Sequence, residues 1–421
     1  MRKNFLWYEL FRHGIVGPAL GLFYSRRTIS GSEQIPVDKP VIFVPNHQNS
    51  FIDALHVVCN TRRFIHFLTR ADPFEKPLAG WFLGTLNMEP VYRVRDGFST
   101  VKKNETIFEN CYRYLRRNDA ILVFAEASHD LRRRIRPISK GFTRIAFGAE
   151  ERYGWGLDLQ ILPVGISYGD HRKSRTSVHV EFGGCIALSE YRDLYAENPR
   201  EAERRLKAVT AERMKELTMH VPDLHHYPLH KLLLDDLEHE RGDLLDPETA
   251  NRRVSVIEAN FSEERLKEAK ELQRLAEEHR IRLKEFVSPV KPQAKDLALS
   301  PLYLFSIVNN IVPYQPVQWM VKYAFEEDIF DASVKFLSGL IFFPLFYLLV
   351  SVLMALSGVG YAPLAGYLLL SIATAPFFVR AKDLLKRSPL RKLKRAHPGR
   401  YESIKSRIET FIRLRESLFN R

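Results

Sequence analysis

A histidine and an aspartate, His47 and Asp53, lie in the stretch NHQNSFIDAL that follows the apolar run PVIFVP. An imidazole held by a carboxylate can take the proton of a hydroxyl while that oxygen attacks an acyl carbon. The carboxylate fixes the tautomer and stabilises the imidazolium that forms. On one continuous helix, positions spaced like these point away from each other. The pair can therefore meet only if His47 precedes a helix and Asp53 sits in its first turns. VPNHQNS supplies such a strand-to-helix junction. In a chain with 14 His and 50 acidic residues some pairs of this kind arise by chance, so this one needs support from elsewhere.

The elements that would position the pair form a recognisable alternation. Between Pro40 and about Phe182 the β-branched runs VIFV, ILVF, ILPVGI and SVHVEF alternate with helical stretches, one from about Ser50 and one over Val101 to Arg117 carrying Phe108, Cys111, Tyr112 and Leu115. That alternation predicts α/β architecture. LNMEPVYRVRDG places Arg93 after an apolar run, and ILVFAEASHD ends a strand at Glu126, with Ala127, Ser128 and His129 just beyond. After Ser189 the chain becomes highly charged. Asn198 and Pro199 make a cap and first turn, with Leu206, Val209 and Leu217 as one apolar stripe. Another helix is expected from Ser262 through Leu266, Ala269, Leu272 and Leu275 toward Phe286. His220, His225, His226, His230 and His239 have no fixed ligand spacing, so they read as solvated helix ends and no metal is expected.

Taken in order, four blocks resemble those of the membrane acyltransferases that acylate glycerol 3-phosphate and lysophosphatidic acid: NHQNSFID, EPVYR, FAEASHD and ILPVGI. ISKGFTRIAFGAE also looks like the family segment after the third block. The resemblance covers roughly residues 30 to 190. It implies His47 as general base, Asp53 as its orienting partner, and Arg93 with Glu126, Ala127 and Ser128 around the phosphorylated acceptor. Arg133, Arg134 and Lys140 read equally as further phosphate contacts and as a solvated basic face. Two departures bear on the acceptor. Gln48 to Ile52 put five residues between His and Asp where the commonest family spacing has four, which resembles the branch acting on glycerol 3-phosphate or dihydroxyacetone phosphate. Ala125 and Ala127 stand where the family usually has Pro and Gly.

The remaining features concern the membrane. Phe336 to Ser357 and Val359 to Val379 contain no charged residue, and each is long enough to cross about 30 Å of hydrocarbon. A pair of spanning helices and a re-entrant hairpin both fit them. Arg380, Lys382, Lys386, Arg387, Arg391, Lys392, Lys394 and Arg395 follow at once, and such a cluster stays in the cytoplasm. The aromatic N-terminal segment suits either the membrane interface or a helix packed on the core. Leu297 to Met320, interrupted by Pro and Asn pairs, reads as an interfacial approach to the first span. The net charge of +13 suits anionic lipid or phosphorylated substrates, and its placement beside a span argues against nucleic acid. Three unpaired cysteines argue for a reducing compartment.

The expected layout is an interfacial helix over 1–29, an α/β acyltransferase domain with a mixed sheet flanked by helices over 30–190, and a charged helical region over 191–295. An interfacial apolar segment over 296–335, two transmembrane helices over 336–379 and a basic tail over 380–421 complete it. The resemblance implies transfer of a fatty acyl group from acyl-CoA or an acyl carrier protein (acyl-ACP) to a phosphorylated glycerol or a lysolipid, among membrane lipids and without a further cofactor. A lysolipid with an amino-acid head group, or an inactive acyltransferase fold serving as a scaffold, are the alternatives.

Overall fold

A mixed sheet covered by helices is what the computed structural model of the chain contains, as the alternation of short runs predicts. The structure describes residues 5–92, 103–126, 128–237, 244, 246–289, 292–323, 327–385 and 389–419. The chain divides into two units, Met1–Met219 and His220–Arg421.

In the N-terminal unit the strands are β1 (Arg26–Ser30), β2 (Val41–Pro45), β3 (Ile65–Arg70), β4 (Met88–Val91), β5 (Ala120–Leu122), β6 (Gln160–Tyr168), β7 (Ser177–Phe182) and β8 (Ile186–Ala187). Their order is β1-β7-β6-β2-β5-β3-β4, with β8 on β6. The pairings are parallel except those of β6 with β7 and with β8. β2 and β6 are buried along their whole length, which explains why both read as continuous apolar runs: each lies in a sheet covered on both faces. The short runs of the sequence reading locate β2, β5, β6 and β7. β1, β3, β4 and β8 are additional, and β1 reads RRTIS, a polar edge strand with no apolar alternation to announce it.

This unit also contains helices α1 (Phe51–Cys59), α2 (Pro77–Thr85), α3 (Lys103–Arg116), α4 (Gly141–Arg152) and α5 (Pro199–Glu216). Cys111 and Leu115 of α3, Phe142, Ile145 and Phe147 of α4, and Leu206 and Met214 of α5 close over Ile42, Ile121 and Ile161 of the sheet. Each such fully buried side chain contributes about 1.5–3 kcal/mol of transfer free energy. The Asn198 side chain accepts from the Glu201 N–H at 3.2 Å, so α5 starts where the sequence places its cap. Its buried stripe is Ala202, Leu206, Thr210 and Met214; Val209, expected inside, is exposed. The end of α5 presses on β6. A Cβ added to Gly165 would lie 2.0 Å from the carbonyl oxygen of Leu217, so the close approach requires glycine.

Residues Phe5–Glu9, Leu10–Val16 and Gly17–Phe23 run on as consecutive helical segments with a π-type middle. Tyr8, Arg12, Val16 and Leu20 face inward, and Arg12 donates to the carbonyl of Arg63 at 2.9 Å. Leu6, Trp7, Leu10, Ile15 and Leu22 face outward, beside Leu78, Trp81 and Phe82 of α2. Phe11 and Phe82 meet edge to face, and Trp7 donates to Thr85 at 3.2 Å. One helix thus has a core face and an exposed apolar face.

The second unit contains α6 (Pro247–Ala259), α7 (Glu263–Glu278), α8 (Ser300–Tyr323), α9 (Asp331–Leu356), α10 (Tyr361–Leu385), α11 (Pro389–Ala396) and α12 (Pro398–Phe419). α7 stops at Glu278 rather than running to Phe286, because Arg280 adopts φ +52° and turns the chain. The histidines are not simply solvated ends: His226 and the buried His230 both bond Glu258, at 2.7 and 2.8 Å. His239 lies outside the described residues. α9 and α10 are long and apolar enough to cross a membrane. α8 corrects the reading of a broken segment: it is one helix through Pro313 and Pro316. Asn309 and Asn310, part of the supposed break, hold it instead, through hydrogen bonds to Tyr347 of α9 and to Tyr367 and Ser371 of α10.

Candidate active site

The site is assembled at the carboxyl ends of β2, β5 and β6, the end of a parallel sheet where loops are free to carry chemistry. Asn46, first residue beyond β2, is buried. Its side chain donates to the carbonyl of Ile166 at 3.0 Å and accepts from the Ile166 N–H at 2.7 Å. An amide side chain thus continues the β2–β6 ladder for one more step and fixes the backbone from which His47 projects.

Between His47 and α1 the chain reverses through Ser50, which adopts φ +50° and ψ −135°. For a non-glycine residue such a backbone costs about 1–3 kcal/mol and persists only where the surroundings impose it. The reversal brings Asp53, in the first turn of α1, back to the imidazole. His47 Nδ1 lies 2.9 Å from Asp53 Oδ2. The Asn49 N–H donates to the same oxygen at 2.7 Å, and the Tyr168 hydroxyl donates to Oδ1 at 2.6 Å. Asp53 is fully buried, whereas the His47 ring keeps a partly open edge. Nδ1–H is engaged with the carboxylate, so Nε2 is the lone-pair nitrogen left for a substrate proton. The ring stacks on Phe124 at a centroid distance of 3.9 Å, and His129 stands edge-on at 5.6 Å.

Glu126 ties two segments together. Its carboxylate accepts from the backbone N–H of His47 at 3.0 Å, from the N–H of Arg136 at 2.8 Å and from the Arg136 guanidinium at 3.2 Å. Burial raises its pKa, and the Arg136 N–H, the Arg136 charge and the His47 N–H oppose that rise. Ser128 accepts from Arg136 through both its hydroxyl and its carbonyl. Arg133 is buried and donates to the Tyr168 carbonyl at 2.8 Å, so it is not part of a solvated basic face. Lys140 is exposed at the start of α4.

The structure therefore brings His47, Asp53, Glu126 and Ser128 to one place. Arg93 and Ala127 lie outside the described residues; β4, which leads toward Arg93, ends at Val91. Asn46, Asn49, Tyr168 and Arg136 escape the sequence reading. Asn46 and Asn49 flank the histidine inside the quoted stretch, and Tyr168 ends the strand of the fourth block, so position beside a block was the available signal. Behind Tyr168 lie Tyr24 and His56, whose rings are 4.8 Å apart. His56 is fully buried, neither ring nitrogen finds a hydrogen-bond partner among the described residues, and burial, with the charge of Arg27, pushes its pKa down to about 3. No group of three or more His, Cys, Asp or Glu side chains is arranged to hold a metal among the described residues.

No curated protein matches the chain significantly. Among solved structures the chain is similar to the crystal structure of the 1-acyl-sn-glycerophosphate (LPA) acyltransferase PlsC from Thermotoga maritima, at 17% sequence identity and a TM-score of 0.38, covering 52% of this chain and 83% of that one. The family model named Acyltransferase matches residues 26–167, the segment that runs from β1 to β6 and contains His47, Asp53 and Glu126. The N-terminal unit of this chain thus carries an acyltransferase domain.

Proposed function

We propose that the chain is a membrane-bound O-acyltransferase of phospholipid synthesis. It moves a fatty acyl group from a thioester, acyl-CoA or acyl-ACP, to a hydroxyl of glycerol 3-phosphate, dihydroxyacetone phosphate or lysophosphatidic acid. The observation that carries the reading is the His47 Nδ1 to Asp53 Oδ2 contact of 2.9 Å, with Nε2 turned away from the carboxylate.

In this reading Nε2 of His47 takes the acceptor's hydroxyl proton as the oxygen attacks the thioester carbonyl. Buried Asp53 stabilises the imidazolium, and donors in the segment after β5 hold the oxyanion. The carbon–sulfur bond then breaks, and the imidazolium returns its proton to the leaving thiolate, giving an ester and a free thiol. Arg93, Ala127 and Ser128 contact the phosphorylated acceptor. Glu126, whose carboxylate is taken up by His47 and Arg136, serves binding by holding these segments in place. No further cofactor is needed for this chemistry.

Lipid substrates account for the apolar helices α9 and α10 and for the exposed Trp7, Trp81 and Leu78 of the catalytic unit. Arg391, Lys392, Lys394 and Arg395 on α11 favour the cytoplasmic face by the positive-inside rule.

The test is transfer of a labelled long-chain acyl group by the full chain in detergent, with CoA and carrier-protein thioesters offered separately and each acceptor assayed alone. His47→Ala is expected to lower the rate by about 10²–10⁴-fold, the usual worth of a positioned general base. Equal rates for variant and parent would remove His47 from the mechanism. Transfer to none of the three acceptors by a folded parent would remove glycerolipid synthesis as the function.

A further inference from the structure

α8 is turned inside out relative to a helix of a water-soluble protein. Its buried residues are Tyr303, Ser306, Asn309, Asn310, Pro313 and Val317. Its exposed ones include Leu304 at 64%, Val308 at 65%, Val312 at 57% and Trp319 at 63% of their full accessibility. A helix in water presents its polar face outward. A helix in lipid gains nothing by hiding leucine, and instead buries the side chains that need hydrogen bonds.

Tyr303 donates to Asp296, just before α8, at 2.8 Å, and the other inward polar side chains are matched to α9 and α10. Ser306 donates to the carbonyl of Thr374 at 2.8 Å. The Asn309 amide donates to Ser371 at 2.9 Å and to Tyr347 at 3.2 Å, and accepts from Tyr367 at 2.6 Å. Asn310 accepts from Tyr347 at 2.7 Å and donates back to the Ser306 carbonyl at 2.8 Å. No charged residue occurs from Leu297 to Val321. The outward faces of the two partner helices are apolar as well, with Ile341, Leu345, Leu349 and Leu353 on α9 and Leu369 and Ile372 on α10 exposed.

We infer that the outer face of α8 lies against the acyl chains of the bilayer, so that the membrane module is a set of three helices held together by a buried polar cluster. This inference rests on the membrane-bound reading above. It differs from the interfacial approach expected from the sequence, because proline and asparagine look like interruptions until their partners on α9 and α10 are known. The hydropathy of α8 is lowered by residues that never meet lipid.

The experiment uses the full chain with Cys59→Ser, Cys111→Ala and Cys185→Ser, its fold checked by acyl transfer and by gel filtration. One cysteine is then returned in place of Val308 on α8, Leu345 on α9 or Glu268 on the exposed side of α7. Each is labelled with an environment-sensitive fluorophore and the protein is reconstituted into phosphatidylcholine–phosphatidylglycerol vesicles. Doxyl-labelled phospholipid and aqueous iodide serve as quenchers. The expected result is strong lipid quenching and protection from iodide at 308 and 345, with the reverse at 268.

Iodide quenching at 308 with lipid quenching at 345 would overturn the placement of α8 and leave the membrane reading intact. Iodide quenching at both would overturn the membrane reading itself. Protection from both quenchers at 308 would mean that protein, such as a second copy of this chain, covers the face, and would also overturn the inference. Val312→Cys, on the same face, repeats the measurement should Val308→Cys fail the folding check.

Discussion

Asp53 accepts hydrogen bonds from three places in the N-terminal unit: the His47 ring, the Asn49 N–H and the Tyr168 hydroxyl. In the proposed mechanism only the first concerns the proton that moves; the other two hold the carboxylate so that Oδ2 faces the imidazole. Burial, and then the nearby Asp53 charge, pushes the Tyr168 pKa well above its ordinary value, so the hydroxyl remains a donor throughout the working pH range. Tyr168→Phe removes that donor and little volume. A hydrogen bond to a charged group contributes about 1.5–3 kcal/mol, so kcat should fall roughly tenfold or more with KM nearly unchanged, as steady-state kinetics at saturating thioester would register.

His56 yields a pH prediction. In the unfolded chain it takes up a proton near its ordinary pKa of 6.5, but in the fold only near 3. Protonation below pH 6.5 therefore favours the unfolded chain, and stability drains away as the pH falls toward 3. At pH 5 the loss is about 2 kcal/mol, roughly 1.4 kcal/mol for each pH unit below the unfolded value. His56→Leu should flatten that decline, because no ring nitrogen is left to titrate. Urea denaturation of parent and variant at pH 7 and pH 5 gives the comparison, and an unchanged slope would assign the acid sensitivity to other groups.

Elements position these residues through contacts that no short motif records. The fourth block reads as an apolar strand with proline, yet its glycine matters for a different reason: Gly165 is where the end of α5 touches β6. Gly165→Ala sets a methyl 2.0 Å from the Leu217 carbonyl oxygen, so strand and helix must separate. The cost should be about 2–3 kcal/mol, as in other overpacked interiors, read as a lower urea midpoint. Activity should fall with it, since β6 also carries Tyr168 and the Ile166 groups that grip Asn46. The histidine–aspartate spacing is likewise an element-level matter. The positive φ of Ser50 folds five intervening residues into a junction that still closes at 2.9 Å.

At the scale of the whole molecule, what was legible in the sequence was whatever repeats or stays local. Alternating apolar runs located the central strands, and four ordered blocks brought His47, Asp53, Glu126 and Ser128 together. Tyr168 and Arg133 were not legible, because their partners depend on a register that joins β6 to segments far away in the chain. The polar edge strand β1 and the buried asparagines of α8 were hidden for the same reason: their roles belong to the neighbour, not to the residue. The division into two units has a further consequence, in the order of synthesis. β1 pairs with β7, β2 with β6 and β8 with β6, so every strand partner needed to close the sheet has been made by Ala187, and α5 by Glu216. The apolar helices begin only at Ser300. Because domains fold as units from the N-terminus during translation, the His47–Asp53 pair can be assembled while the long apolar helices of the same chain have yet to leave the ribosome.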